Sequence, residues 1–125
     1  DRIDIQVEVP AVPYQELRGS GDGLSTAMLR ERVAAARAMQ QQRGHLNANL
    51  PSSLIRESCQ LDAAAERTLE MAVRKLSLSA RAHDRVLKVA RTVADLAGAP
   101  AVAAKHIAES VQYRSLDREY WSGAA

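Results

Sequence analysis

The sequence predicts an all-α fold: a small bundle of four to five helices, preceded by a short isolated strand and a flexible linker. Three observations lead there. Hydrophobic residues fill 46% of the 125 positions, yet much of that is alanine and phenylalanine is absent; small side chains let helix axes approach, which suits a bundle better than a sheet sandwich. Apolar residues recur three and four apart along most of the chain, in runs that open on Ser, Thr or Asp. Alternation with period two occurs at the N-terminus alone. The length fits one domain with a modest core.

Ile3, Ile5, Val7 and Val9 alternate with Asp4, Gln6 and Glu8, the pattern of a half-buried strand, which Pro10 and Pro13 end. A lone strand cannot satisfy its backbone groups, so it should belong to a sheet outside this chain or fray. Residues 14–25 hold Gly19, Ser20, Gly21, Asp22 and Gly23 and read as a flexible linker. A first helix is predicted from about Thr26 to Arg43, capped by Ser25 or Thr26, with Leu29, Val33 and Ala36 as its buried stripe and Gly44 as its end. The loop "HLNANLPSSL" follows, because Asn47, Asn49 and Pro51 favour turns. A short helix over Ser53–Ser58 comes next. Asp62 then caps a helix to about Leu76, with Ala65, Leu69, Ala72, Val73 and Leu76 facing inward. Ser79 caps another, which Gly98 closes and whose apolar face is Val86, Ala90, Val93 and Ala97, helped by Leu87 and Leu96. A last helix spans about Ala103 to Tyr113 or Arg114. Residues 115–125 lack a clear period and read as a loose tail. The domain proper is therefore 26–114, with 1–13 as the strand and its exit.

Seventeen basic and fifteen acidic residues give a net charge of +2, a mixed surface that permits nucleic-acid contact without arguing for it. Cys59 is the single cysteine, which excludes an intramolecular disulfide and a cysteine-based zinc site; it reads as a small, partly buried helix residue. No apolar run approaches the roughly 18 residues of a membrane span. The N-terminus lacks the basic start and apolar middle of a signal peptide. A soluble, cytoplasmic setting is expected, with no membrane partner. The start without Met, in a strand-like pattern, suggests a piece of a longer chain.

The stretch "LSARAHDRVLKVART" carries Arg81, Arg85, Lys88 and Arg91 within an arc of roughly 120° of one helix. Asp84 and Asp95 stand at i,i+4 spacing to Lys88 and Arg91, so a salt-bridged solvent face explains most of the stripe. Arg81 is the exception. It sits in a first turn, where the helix dipole disfavours a cation and where free N–H groups and an Arg together suit a phosphate. Arg85 could assist or pair with an acid. His45, His83 and His106 each stand alone in their segments, without the paired spacing of a metal site. Arg43, His45, Asn47 and Asn49, with Gln40 to Gln42, form a polar cluster that either touches a nucleic-acid backbone or closes a loop. No G-x-x-x-x-G-K-[ST] phosphate loop and no Ser-His-Asp ordering is present, so nothing here makes a self-sufficient catalyst.

Five blocks in order, "RIDIQVEVP", "RERVAAARAMQQQR", "NANL", "LSARAHDRVLKVARTVADLAG" and "HIAESVQYR", resemble the C-terminal part of magnesium-chelatase-like AAA+ ATPases of the YifB/ComM family. The resemblance runs from Arg2 to Arg114. It implies the last strand of an ATPase core in 1–13 and a helical lid in 26–114, with the Walker segments upstream. It also implies ATP and Mg²⁺ as cofactors of the parent protein, partners in the neighbouring subunits of a hexameric ring and in the core of the same chain, and DNA as a candidate partner. By the same resemblance Arg2, in "DRIDI", matches the arginine finger. Arg81, in "SAR", matches sensor 2, and Arg85 is a candidate companion. Lys88 and Arg91 are left as surface ion-pair residues.

ComM-like members look like hexameric motors on branched DNA, whereas nothing in this stretch resembles a tetrapyrrole site. The leading expectation is therefore the lid of such a motor. An independent helical DNA-binding or protein-interaction module is the second, and a chelatase subunit the third. The parent is expected to be an ATPase and a candidate DNA helicase. The 125-residue chain alone should not hydrolyse ATP and should bind nucleotide weakly.

Overall fold

A computed structural model describes residues 3–9, 11, 13, 14 and 25–123, with side chains as far as Arg114. The predicted linker lies outside the described residues except for its two ends. Among the described residues the chain forms five α-helices and one 3₁₀ turn: α1 (Thr26–Gln42), the turn Asn47–Asn49, α2 (Ser52–Ser58), α3 (Ala63–Leu76), α4 (Ala80–Leu96) and α5 (Ala104–Gly123). The all-α bundle is as expected.

The helix boundaries follow from local chemistry. Ser25, Asp62 and Ser79 cap α1, α3 and α4, each side chain accepting from the N–H three residues on, in Met28, Ala65 and Ala82. Gly44 (φ 98) follows α1 and Gly98 (φ 71) follows α4, both in the left-handed region where a Cβ is strained. α3 ends instead on Ser77 (φ 51), a non-glycine in the same region. Its N–H donates to the Val73 carbonyl. α5 continues to Gly123, past Arg114 where the sequence reading stops it; no Gly or Pro interrupts that stretch before Gly123.

α4 is the central element. It packs α5 on one side and α1, α2 and the 3₁₀ turn on others, while α3 packs on α5. Val86, Leu87, Ala90 and Ala94 of α4 join Leu50, Ile55, Cys59, Ala65, Leu69, Val102 and Ile107 in one core. Ala65, Ala90 and Ala94 are at zero exposure, and such small side chains let helix axes approach. The loops before α3 and α5 are tied by a parallel bridge between Leu61 and Val102, with the Val102 N–H donating to the Gln60 carbonyl at 3.2 Å.

Three packing expectations are corrected. The apolar face of α4 includes Ala94 and runs through the polar pair Arg91 and Asp95, while Ala97 and Leu96 are exposed. Leu29 and Val33 of α1 are 46% and 50% exposed rather than buried, because α1 meets the body only in its second half, through Ala36 and Gln40. Residues 3–9 are not a strand: no partner strand exists among the described residues, so no ladder forms. Instead the Gln6 N–H donates to the Tyr113 carbonyl at 3.0 Å, and Ile3, Ile5, Val7 and Val9 stay exposed.

Candidate functional site

The four cations of the α4 stripe separate into distinct environments. Arg81 lies in the first turn and is exposed. Ser79 caps the Ala82 N–H at 3.1 Å, which leaves the N–H groups of Ala80 and Arg81 outside the intrahelical ladder. The nearest acid along the helix, Asp84, is held elsewhere: it accepts from Ser52 Oγ at 3.2 Å and faces His83 Nδ1 at 3.2 Å. No described side chain therefore neutralises Arg81. An uncompensated guanidinium beside free N–H groups at the positive end of a helix suits an anionic oxygen.

Arg85, one turn along, is about a quarter exposed and its Nη1 lies 3.4 Å from Asp4 Oδ1. Arg114 of α5 reaches the same oxygen, also at 3.4 Å. Asp4 thus ties the extended segment 3–9 to α4 and α5 through two guanidinium groups. No local pattern could have singled it out, because its partners are 81 and 110 residues away. Arg2 lies outside the described residues.

Lys88 is partly buried. Arg91 is not the surface residue expected; it is 2% exposed. Its Nε and Nη2 hold Asp95 Oδ1 at 3.1 and 3.0 Å, and Nη1 and Nη2 donate to the carbonyls of Pro100 and Ala99 at 3.1 and 2.6 Å. The i,i+4 spacing was legible, but the Ala99 and Pro100 carbonyls of the loop after α4 draw the pair inward.

The polar cluster of α1 and the loop resolves as internal structure. Arg43 forks onto both oxygens of Asp95 at 3.0 and 2.7 Å. Asn47, 3% exposed, donates from its amide to Asp95 and Thr92 at 2.9 and 3.0 Å, and its backbone N–H donates to Gln40 Oε1 at 2.8 Å. Asp95 is thus the hub joining α1, the 3₁₀ turn, α4 and the loop before α5. A buried carboxylate meeting two guanidiniums and an amide has its acceptor sites filled. The loop-closing reading holds for Arg43 and Asn47.

Among the described residues two titratable groups are shifted. His106 is 3% exposed and its Nδ1 accepts the Ala103 N–H at 2.9 Å, closing the start of α5 in the manner of a capping box. That leaves Nε2 to carry the proton, buried without a partner among the described residues. Burial first, then the cations Lys105 and Arg91, hold its pKa below the ordinary imidazole value, against Glu109. Burial pushes the Cys59 thiol up to about 11, against the pull of Arg91 and Arg43. A protonated thiol at neutral pH is a poor nucleophile, so Cys59 acts as a core residue. Among the described residues no group of three or more His, Cys, Asp or Glu could hold a metal, and no helix is long and apolar enough to cross a membrane.

The profile of the C-terminal domain of magnesium chelatase subunit ChlI matches residues 23–114. The chain is 42% identical over 120 residues to competence protein ComM of Haemophilus influenzae and 41% identical over 120 residues to the uncharacterized protein YifB of Escherichia coli. An uncharacterized protein of Mycobacterium tuberculosis is 34% identical over 119 residues. The first two alignments cover 94% of this chain and 24% of each relative, so the chain spans about a quarter of the length of the curated relatives it matches.

Proposed function

The chain belongs to the magnesium chelatase ChlI C-terminal family, on its YifB/ComM side, and we propose that it is the lid of an AAA+ ATPase that presents Arg81 to the phosphates of ATP. The observation that carries this reading is the state of Arg81: exposed, in the first turn of a capped helix, and neutralised by no described side chain. A buried or ion-paired Arg81 would have removed it. In the parent protein ATP would supply the reacting γ-phosphoryl group and Mg²⁺ would neutralise part of its charge, while Arg81 would stabilise the charge that develops on transfer. This chain fits only one wall of such a site, since it carries no phosphate loop.

Arg85 enters the reading as a companion that Asp4 holds near Arg81. Arg2, two residues before Asp4, keeps the arginine-finger role by resemblance. Motion of the lid would couple nucleotide state to a neighbouring subunit of a hexameric ring, and the family resemblance of the sequence blocks extends this reading to a branch-migration motor acting on DNA in the cytoplasm. The test is ATPase turnover of the longer parent protein: Arg81→Ala should abolish it and Lys88→Ala should leave it nearly intact. Equal losses in both variants would refute the assignment.

The second reading, a free-standing DNA-binding module, now rests on Lys88 without Arg91, since burial removes Arg91 from the surface. Steeply salt-dependent DNA binding by the 125-residue chain, lost in Lys88→Ala, would favour it.

A further inference from the structure

Arg85 of α4 and Arg114 of α5 converge on one oxygen, Asp4 Oδ1, each at 3.4 Å. A charge-assisted contact of good fit closes to about 2.7–2.9 Å, and Arg43 meets Asp95 at 2.7 Å in the same bundle. One carboxylate oxygen shared by two guanidiniums therefore fills the space between them loosely. The two arginines stand on packed helices with side-chain exposures of 28% and 10%, whereas Asp4 is 42% exposed. Of the three groups, Asp4 is the one that water and other solutes reach most easily.

Apolar burial adds little to the hold on segment 3–9, since Ile3, Ile5, Val7 and Val9 are each more than half exposed. Beside Asp4 a cleft of about 470 Å³ opens along α4. Its lining includes Arg85 and Lys88, with Glu109 as the acid besides Asp4, and Val89 and Val93 among its apolar residues. Room for a group larger than a carboxylate thus lies next to Arg85.

We propose that Arg85 and Arg114 form a phosphate site that Asp4 fills as an internal stand-in, and that a phosphate group entering from the cleft displaces Asp4 and releases segment 3–9. A terminal phosphate carries about two negative charges and three acceptor oxygens, so each guanidinium can close on an oxygen of its own. Asp4 is exchanged rather than joined, because two anions side by side repel. Phosphate binding and segment release are then linked, and each favours the other by the same factor. The site shares Arg85 with the nucleotide reading but does not rest on it, because Arg114 rather than Arg81 is its second arm.

Hydrogen exchange of the Gln6 amide, which donates to the Tyr113 carbonyl, reads the release in the 125-residue chain. Pyrophosphate should speed it several-fold over sodium chloride at matched ionic strength. In calorimetry Asp4→Asn should bind pyrophosphate up to about fivefold more tightly than wild type, since no carboxylate has to be displaced. Arg114→Ala should weaken binding by about tenfold or more. Asp4 is partly exposed, so Asp4→Asn reads the competition even if Arg114→Ala misfolds. Arg81→Ala should keep the Gln6 response, which separates a failure here from a failure of the nucleotide reading. ADP acting at lower concentration than pyrophosphate identifies a nucleotide as the source of the phosphate; ADP acting at the same or higher concentration identifies the free diphosphate. Exchange at Gln6 indifferent to pyrophosphate overturns the proposal. So does equal affinity in Asp4→Asn and wild type, or a response that Arg81→Ala removes and Arg114→Ala keeps.

Discussion

Arg91 and Asp95, four residues apart on α4, form an ion pair with Nη2 3.0 Å from Oδ1 and side-chain exposures of 2% and 0%. The pair is the floor of a network that Arg43 enters from α1 and Asn47 from the 3₁₀ turn. Two charges taken from water cost several kcal/mol each, and their attraction offsets this only when every remaining donor and acceptor is used. Here Arg91 spends its other donors on the Ala99 and Pro100 carbonyls.

Removing one partner should therefore be costly. Asp95→Ala leaves Arg91 buried without its carboxylate and should destabilise the chain by about 3–5 kcal/mol. Arg91→Met with Asp95→Leu should cost less than the sum of the single changes, because no fully buried charge is left unpaired; Arg43, about a quarter exposed, can turn to water. Urea denaturation of the two single variants and the double variant checks this; additive effects would contradict the network.

Asp4 should control the N-terminal segment without controlling the bundle. Asp4→Asn weakens the hold of Arg85 and Arg114 on residues 3–9, so the Gln6 amide, now hydrogen-bonded to Tyr113, should exchange with solvent faster. Core amides of α4 should keep their protection. The exposed part of this pairing is worth no more than about 1 kcal/mol, so the urea midpoint should move little.

His106 gives the bundle a defined acid response. Its folded pKa lies below the ordinary imidazole value of 6.5, so above about pH 7 both folded and unfolded chains carry it neutral and it has no effect. As pH falls through 6.5 the unfolded chain takes the proton first and stability declines, until the folded pKa is passed. A proton on Nδ1 would also displace the Ala103 N–H that this atom accepts. His106→Gln, which can still accept that N–H, should flatten the fall in urea midpoint between pH 7 and pH 5. An unchanged slope would contradict the assignment.

Much of the fold was legible because helix ends are local chemistry. Ser25, Asp62, Ser79, Gly44 and Gly98 all stand where the sequence placed them. What failed was long-range. Leu29 and Val33 have the spacing of a buried stripe, but no local signal says that the body ends beneath Ala36. Arg91 has the spacing of a surface pair, but the carbonyls that draw it inward belong to a loop eight and nine residues on. Residues 3–9 have strand alternation, yet a strand needs a neighbour. For the candidate site, the place of Arg81 in a first turn was legible; the contact of Asp4 with Arg85 was not, since only the tertiary fold brings them together.

The central claim is that Arg81 serves nucleotide rather than the bundle. Arg81→Ala should leave the unfolding free energy of the 125-residue chain, read by urea denaturation, within about 0.5 kcal/mol of wild type, as for an exposed side chain. In the longer parent protein the same substitution should lower ATPase kcat by about 10²-fold or more, as expected when a charge-stabilising group is lost. Full turnover with Arg81→Ala would contradict the account, and so would a loss of turnover that merely follows a loss of folding.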